Sequence, residues 1–299
     1  HTETVQVGAS PQGKDLHFTF GYDILDRPVG ESLPLPDGNR NYYGDAYYYS
    51  GCVYGNSSLN RIRETYGPGA AWIENGKSVK TEYLINADSG ELSCAEFRAE
   101  DNGEDVRLIR SGLYAAGELS VARTTDEDGK VVYTFTDFEG KLLLTRRMNG
   151  TEPHDTYIVY DDRGRKRIVL PPLAADELTA TASWGCNSSE VIKKYGYVYR
   201  YDGRDRVIEK KLPGCDPVHF VYDRSDRLIL KQNGNNRKDG VWQYYQYDGL
   251  GREVIWGVLP SSTGREDWEV IFRDTVCCER FIGLGQDGNF GYTNTAAFN

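Results

Sequence analysis

Apolar and polar residues alternate along this chain in short runs, the period of a strand with one covered face. In "YVYRYDGRDRVIEKKLPG" the aromatics Tyr197, Tyr199 and Tyr201 fall on every second position, and Val207-Ile208 opens a second run after a short polar step. Few stretches carry a helical period. Helices are expected within "PLAADELTATASW" and "SSEVIKKYGY", the latter capped by Ser188 or Ser189, with one helical turn near Leu59–Thr65. The remainder predicts strands joined by turns.

Six segments repeat the layout of that quoted run, each built around one aspartate: Asp23, Asp137, Asp161, Asp202, Asp223 and Asp248. Three residues after each stands Gly or Asp (Asp26, Gly140, Gly164, Asp205, Asp226, Gly251), and four after stands Arg27, Lys141, Arg165, Arg206, Arg227 or Arg252. Tyr22, Tyr160, Tyr201, Tyr222 and Tyr247 precede five of the aspartates, with Phe20, Ile158, Tyr199, Phe220 and Tyr245 two positions before them. The Asp137 segment departs, its aromatics Tyr133 and Phe135 being out of phase, which predicts a bulge there.

This spacing has a direct physical meaning. Asp is favoured at the first position of a type I turn, where its carboxylate accepts backbone N–H groups. The fourth position of a three-residue hairpin takes positive φ, which Gly adopts freely and Asp tolerates. Asp and Arg then flank the turn as cross-strand neighbours, and the apolar pairs Leu228-Ile229 and Val254-Ile255 make return strands. Four Leu-Pro pairs (Leu33-Pro34, Leu170-Pro171, Leu212-Pro213, Leu259-Pro260) should stop strands, because proline cannot donate to a ladder. A further hairpin is expected to turn at Glu127-Asp128-Gly129.

Composition narrows the picture. With 299 residues, 39% hydrophobic and 12% aromatic, the chain can bury a core. Its 22 Tyr and 33 Gly against 1 Met suit strands and turns rather than helices. A net charge of −10 argues against nucleic acid or an anionic membrane as partner, since phosphate contacts need clustered Lys and Arg. No apolar run is long enough to span a bilayer. The opening "HTETVQVGASPQGKD" lacks the regions of a signal peptide, and the chain reads as cut from a longer protein. Cys52, Cys94, Cys186, Cys215, Cys277 and Cys278 form no CxxC and have no zinc-like spacing with histidine, so free buried thiols and no metal or cofactor are expected.

Six such segments, together with "SSLNRIRETYGPGAAW", "DEDGKVVYTFTDFEGKLLLTR" and "DTYIVYDDRGRKRIVLPP", resemble the Rhs/YD-repeat (tyrosine-aspartate repeat) family. The branch they resemble is that of large surface or secreted proteins of Bacteroidetes-type bacteria. The resemblance covers roughly residues 17–290; it lacks the Asp-Pro-x-Gly-Leu core motif and a toxin-like tail. It implies a mainly β fold of consecutive antiparallel hairpins, a curved, spiralling YD-repeat sheet forming an open arc of a shell, with few short helices. It also implies an extracytoplasmic protein (secreted or at the cell surface). Expected partners are the rest of the parent repeat protein, a C-terminal cargo domain and surface glycans. The organisation expected is a flexible lead-in over 1–16, an N-terminal β region with an irregular Tyr-rich insertion over 17–150, and a regular hairpin region over 151–299.

Catalytic alternatives are weaker. One aspartate per turn is a structural placement, so Asp202, Asp223 and Asp248 are not expected to do acid–base chemistry. Ser10 lacks a nucleophile elbow, His17 and His219 lie in strand-like runs, and neither "YGPGAAW" nor "GLGQDGNFG" opens a helix after a strand. The chain is therefore expected not to be an enzyme but a structural and interaction segment. The alternative is a carbohydrate-binding surface, with Tyr42, Tyr43, Tyr47, Tyr48 and Tyr49 as a sugar-stacking platform, set against the same tyrosines packed and covered.

Overall fold

A computed structural model describes residues 2–10, 12–103, 105–283 and 291–293. Most of "GLGQDGNFG" therefore lies outside the described residues. The chain forms two compact units, residues 1–94 with 113–155, and residues 95–112 with 156–299. Antiparallel strands dominate both, as the alternating pattern requires.

In the first unit the ladder begins where a flexible lead-in is expected. Thr2–Gln6 is a strand paired with Leu16–Phe20, so only the short link between them is left as loop. Leu16–Tyr22 and Pro28–Ser32 make the Asp23 hairpin. Strands Tyr49–Tyr54, Ile62–Tyr66, Val79–Ile85, Ser120–Thr125, Val131–Thr136 and Leu142–Asn149 then add side by side, each antiparallel to the one before. Its core takes the inward residues of these strands, among them Val121, Tyr133, Phe135 and Leu144. Phe135 faces Leu144 across the pair. The helical turn expected near Leu59–Thr65 is instead a turn and the start of a strand. Asn60 closes the turn at φ 51°, and β-branched Ile62 and Thr65 suit the strand that follows. The Tyr-rich insertion is irregular over 37–48, as expected, with short strands at Tyr49–Tyr54 and Ile62–Tyr66 and a short helix at Ala70–Glu74.

The second unit holds the Asp161, Asp202, Asp223 and Asp248 hairpins in chain order, each return strand pairing with the next hairpin's first strand. A separate sheet joins Ala95–Asn102, Asp105–Leu113 and Ser183–Gly185. Of the expected helices, the first shrinks to Pro172–Glu177 and the second is Glu190–Tyr195, with the Ser189 hydroxyl accepting from the Ile192 N–H. Arg265–Phe272 is a helix that the pattern analysis did not predict; it sets Trp268 and Phe272, one turn apart, on a core of Val221, Ile229, Leu230 and Trp242. All four Leu-Pro pairs stand where strands stop, as expected; Pro260 is itself the last residue of Glu253–Pro260, where its missing donor falls at the strand end.

All six cysteines are free; Cys94 and Cys186 are buried, but Cys215 and Cys278 are exposed, which corrects the expectation of buried thiols throughout. Burial pushes the Cys94 and Cys186 thiols up to about 12. Among the described residues no helix is long and apolar enough to cross a membrane, and no cluster of three or more His, Cys, Asp or Glu is placed to hold a metal ion.

Phe272 is fully buried and stacks on Trp268 at 5.6 Å between ring centres. Phe272→Ala is expected to lower the unfolding free energy by roughly 3–5 kcal/mol through the cavity left behind. A urea titration followed by tryptophan fluorescence measures this.

Candidate functional site

Each aspartate of the repeat sits at the first position of its turn and does the same job. Oδ1 of Asp23, Asp161, Asp202, Asp223 and Asp248 accepts the backbone N–H groups two and four residues on, at 2.9–3.1 Å. Oδ2 accepts from the guanidinium Nε of Arg27, Arg165, Arg206, Arg227 and Arg252 at 2.7–2.9 Å. The backbone closes the bend as well, the Asp N–H donating to the Arg carbonyl, for instance at 3.0 Å from Asp202 to Arg206. The fourth turn residue takes positive φ throughout, from 60° at Asp26 to 82° at Gly140. Asp137 makes the same two backbone contacts, at 2.9 and 2.8 Å, but Lys141 cannot supply the fork and pairs with Glu139 instead. The bulge expected only at Asp137 lies one or two residues before the aspartate in all six hairpins. It is part of the repeat, not a departure from it.

The hydrogen bonds set the charge state. The Arg27 guanidinium holds the Asp23 carboxyl below the ordinary range, and the N–H of Arg252 does so first for Asp248. For Asp161 burial pushes upward, but the N–H and guanidinium of Arg165 outweigh it and the net direction is down.

The second contact joins one hairpin to the next. Five arginines lie over a tyrosine of the following strand pair: Arg27 over Tyr54 at 4.3 Å, Arg61 over Tyr83 at 4.7 Å, Arg165 over Tyr201 at 5.1 Å, Arg206 over Tyr222 at 4.9 Å and Arg227 over Tyr247 at 5.2 Å. Each of these tyrosine hydroxyls donates to the carbonyl of the residue after that Arg. The acceptors are Pro28, Ile62, Lys166, Val207 and Leu228, at 2.8–3.1 Å. Register explains the regularity. The pairs Gly30–Gly51, Glu64–Lys80, Ile168–Val198, Glu209–His219 and Leu230–Tyr244, carried three residues toward the turn, bring each Arg opposite its Tyr. Nη1 then reaches into the next turn, Arg27 to Asn60, Arg165 to Asp205 and Arg206 to Asp226, at 2.8–3.1 Å.

Sequence reasoning missed several members of this set. Asp126 is a seventh turn aspartate, accepting from Asp128 and Lys130; its Gly129 and Lys130 have the repeat's spacing, but Thr125 stands where Tyr would. Tyr54, Arg61 and Tyr83 belong to the stack although no aspartate follows either tyrosine. Here Gly55 donates to the Arg61 carbonyl across a longer loop, and Asn60-Arg61 plays the part of Asp205-Arg206. Buried Arg167, held by Asp101, Asp161 and the Tyr199 carbonyl, and Arg146, forked onto Asp155 at 2.6 and 2.8 Å, carried no sequence signal. Tyr22 and Tyr160 precede their aspartates as expected, Tyr22 partly exposed and Tyr160 half-buried.

The proposed sugar platform is split. Tyr42 and Tyr43 are exposed and pack edge to face at 5.1 Å, with the Tyr43 hydroxyl donating to Pro34. Tyr47, Tyr48 and Tyr49 are half-buried. Tyr48 and Tyr49 line, with Tyr66, Arg40 and Glu31, a cavity of about 440 Å³. A second, polar cavity of about 450 Å³ holds Glu209 between Arg200 at 3.2 Å and His219 at 3.5 Å. Burial pushes the Glu209 carboxyl upward, but His219 and Arg200 outweigh it and keep it low, so it is held as an anion rather than as a proton donor.

Solved structures share this fold. The chain is similar to the Photorhabdus luminescens Tc holotoxin pore with mutated TccC3 (TM-score 0.52, 12% identity, 84% of this chain and 11% of that one). It is similar also to TcdB2-TccC3-Cdc42 (0.52, 13%, 88% and 12%) and to TcdB2-TccC3 (0.51, 12%, 97% and 14%). The chain shares their fold. It spans only about a tenth to a seventh of their length. A domain of unknown function, DUF6443, matches residues 1–85. No curated protein matches.

Asp223 is fully buried against Arg227. Asp223→Ala is expected to cost roughly 3–5 kcal/mol by leaving a buried cation and two N–H groups unpaired, whereas Asp23→Ala, nearer solvent, costs less; urea midpoints compare the two. Because the folded carboxyls of Asp23, Asp161 and Asp248 titrate below their unfolded range, their stabilisation is full above about pH 4 and is lost as pH falls through the folded values. The urea midpoint of the wild-type chain should therefore hold from neutral pH to about 5 and drop below 4, and Asp161→Asn should flatten that drop.

Proposed function

We propose that this chain is a non-enzymatic structural segment of a larger, extracytoplasmic Rhs/YD-repeat protein, and that its task is to be part of a hairpin wall. The observation that carries this is the Arg-on-Tyr contact between successive hairpins, made five times with the same atoms. A contact built from backbone carbonyls, a guanidinium and a phenol can be repeated without a specific ligand, which suits a scaffold. Its likeness in fold to Tc toxin structures several times its length supports a place within a larger assembly. The carboxylates of the repeat are spent on turn N–H groups and guanidinia, and Glu209 is locked between two basic groups, which favours structure over acid–base chemistry.

Electron microscopy of the parent protein is expected to show residues 197–260 as side-by-side hairpins in a continuous wall, and protease shaving of intact cells to release the segment. A freely tethered globule, or a segment found only in the cytosol, would reject the reading. A second reading, glycan binding, is favoured only by the Tyr48-Tyr49-Tyr66 cavity with its Arg40 and Glu31. A glycan array showing hits that Tyr48→Ala abolishes would establish it.

A further inference from the structure

The Asp23 hairpin departs from the other Tyr-Asp hairpins at one place on its strands. Two residues before the aspartate, the other five hairpins pair two residues that carry side chains, as in Phe135–Leu144, Val159–Ile168 and Val221–Leu230, all buried. The Asp23 hairpin has Gly21 facing Gly30, and the next strand continues the row with Gly51. Turn geometry does not ask for these glycines. None of the three has positive φ, and the bulge that follows Gly21 also follows Val159 and Val221. A glycine inside a strand weakens it and marks a place where another group approaches the backbone closely.

At Gly51 that group is a phenol. Tyr66, its cross-strand partner, lays its ring over the bare backbone, so that a Cβ there would run into it. Tyr244 does the same to Gly257, where a Cβ would come within 2.8 Å of ring and hydroxyl. Over Gly30 no ring stands, and a Cβ there would meet only the Ser50 carbonyl oxygen, at 3.1 Å. Gly21 and Gly30 line instead the cavity of about 440 Å³, with Tyr48, Tyr49, Tyr66 and Arg40. Arg40 makes no hydrogen bond, ion pair or ring contact among the described residues, whereas five arginines of the stack lie over tyrosines.

We propose that this cavity binds one phenol ring, the side chain of a tyrosine on a partner polypeptide, lying on Gly21 and Gly30 beside Tyr66 and against Arg40. Both halves of the contact are chemistry the protein already uses: bare strand beneath a phenol, and a guanidinium on a tyrosine face. The partner is held by this side chain and not by strand addition. Leu16–Tyr22 and Pro28–Ser32 are each paired on both sides, so their ladder groups are spent. The site goes beyond the wall reading and takes a ligand other than the sugar of the second one.

The test uses the ¹⁵N-labelled 299-residue chain with two probes, p-cresol, which is the tyrosine side chain alone, and the peptide Gly-Gly-Tyr-Gly-Gly. Amide shift changes at Thr19, Gly21, Gly30 and Tyr49 are expected from both on titration to about 10 mM, the range open to so small a ring. Methylcyclohexanol, of similar size but without an aromatic face, should bind roughly fivefold more weakly. Arg40→Gln should weaken p-cresol roughly threefold. Gly21→Val, which restores the side chain that Val159 and Val221 supply elsewhere, should abolish both titrations while the urea midpoint holds or rises, since a strand favours Val over Gly. A midpoint that falls shows the glycine serving the fold itself and overturns the proposal. So do p-cresol leaving these amides unmoved, binding no better than methylcyclohexanol, or cellotetraose binding there in place of the phenol. Shifts from p-cresol but none from the peptide overturn the polypeptide partner and leave a free phenol as the ligand.

Discussion

One aspartate carboxyl closes each bend of the repeat, and the contact between neighbouring hairpins is built on it. A tight turn leaves N–H groups pointing into its own loop, and an unpaired one costs of the order of a hydrogen bond. The turn Asp takes two of them on one oxygen and spends the other on a guanidinium. That second bond matters beyond the turn. It restrains an otherwise flexible arginine, which is thereby held over the tyrosine of the next hairpin. The tyrosine docks on a surface already set, so little side-chain entropy remains to be lost in the contact.

Much of this was legible. The Asp, the positive-φ residue three on and the Arg four on follow from turn chemistry alone, and each stands where spacing put it. What lay beyond the reach of spacing is contact between hairpins. Arg206 and Tyr222 are apart in sequence and opposite in space only because Glu209 pairs with His219, and register between separate hairpins is not written in either one. Tyr54 and Tyr83 escaped for a related reason. They meet their arginines as the repeat tyrosines do, but no aspartate follows them to mark them. The helix Arg265–Phe272 was missed because its buried face is only Trp268 and Phe272, too few positions to show a period. The lead-in was underestimated because Thr2–Gln6 is polar and draws its order from pairing with Leu16–Phe20 rather than from its own composition.

The fourth turn position shows two solutions to one problem. Glycine enters positive φ without strain, so on backbone grounds it is the better choice. Yet Asp205 and Asp226 stand there in successive hairpins, and Asn60 in the long loop, each strained toward the left-handed region. All three accept Nη1 of the preceding arginine. The conformational cost is local; the gain is a tie to the neighbour.

Where glycine is used the tie must come from elsewhere. Gly251 offers Arg227 no side chain, and Nη1 is left with a long contact of 3.4 Å to the Asp248 carbonyl. The deficit is met by Nη2, which donates to the Cys277 carbonyl at 2.6 Å, while Cys278-Glu279 runs parallel to Tyr247-Asp248. The chain beyond the helix thus returns to an inter-hairpin contact whose turn carries glycine at the fourth position. That makes the Asp223 carboxyl, fully buried beneath this doubly held guanidinium, the most constrained of the repeat carboxylates. The arginines of the three preceding hairpins stay 14–18% exposed, whereas Arg252 reaches 65% although its fork on Asp248 is complete, so the fork alone does not bury the guanidinium.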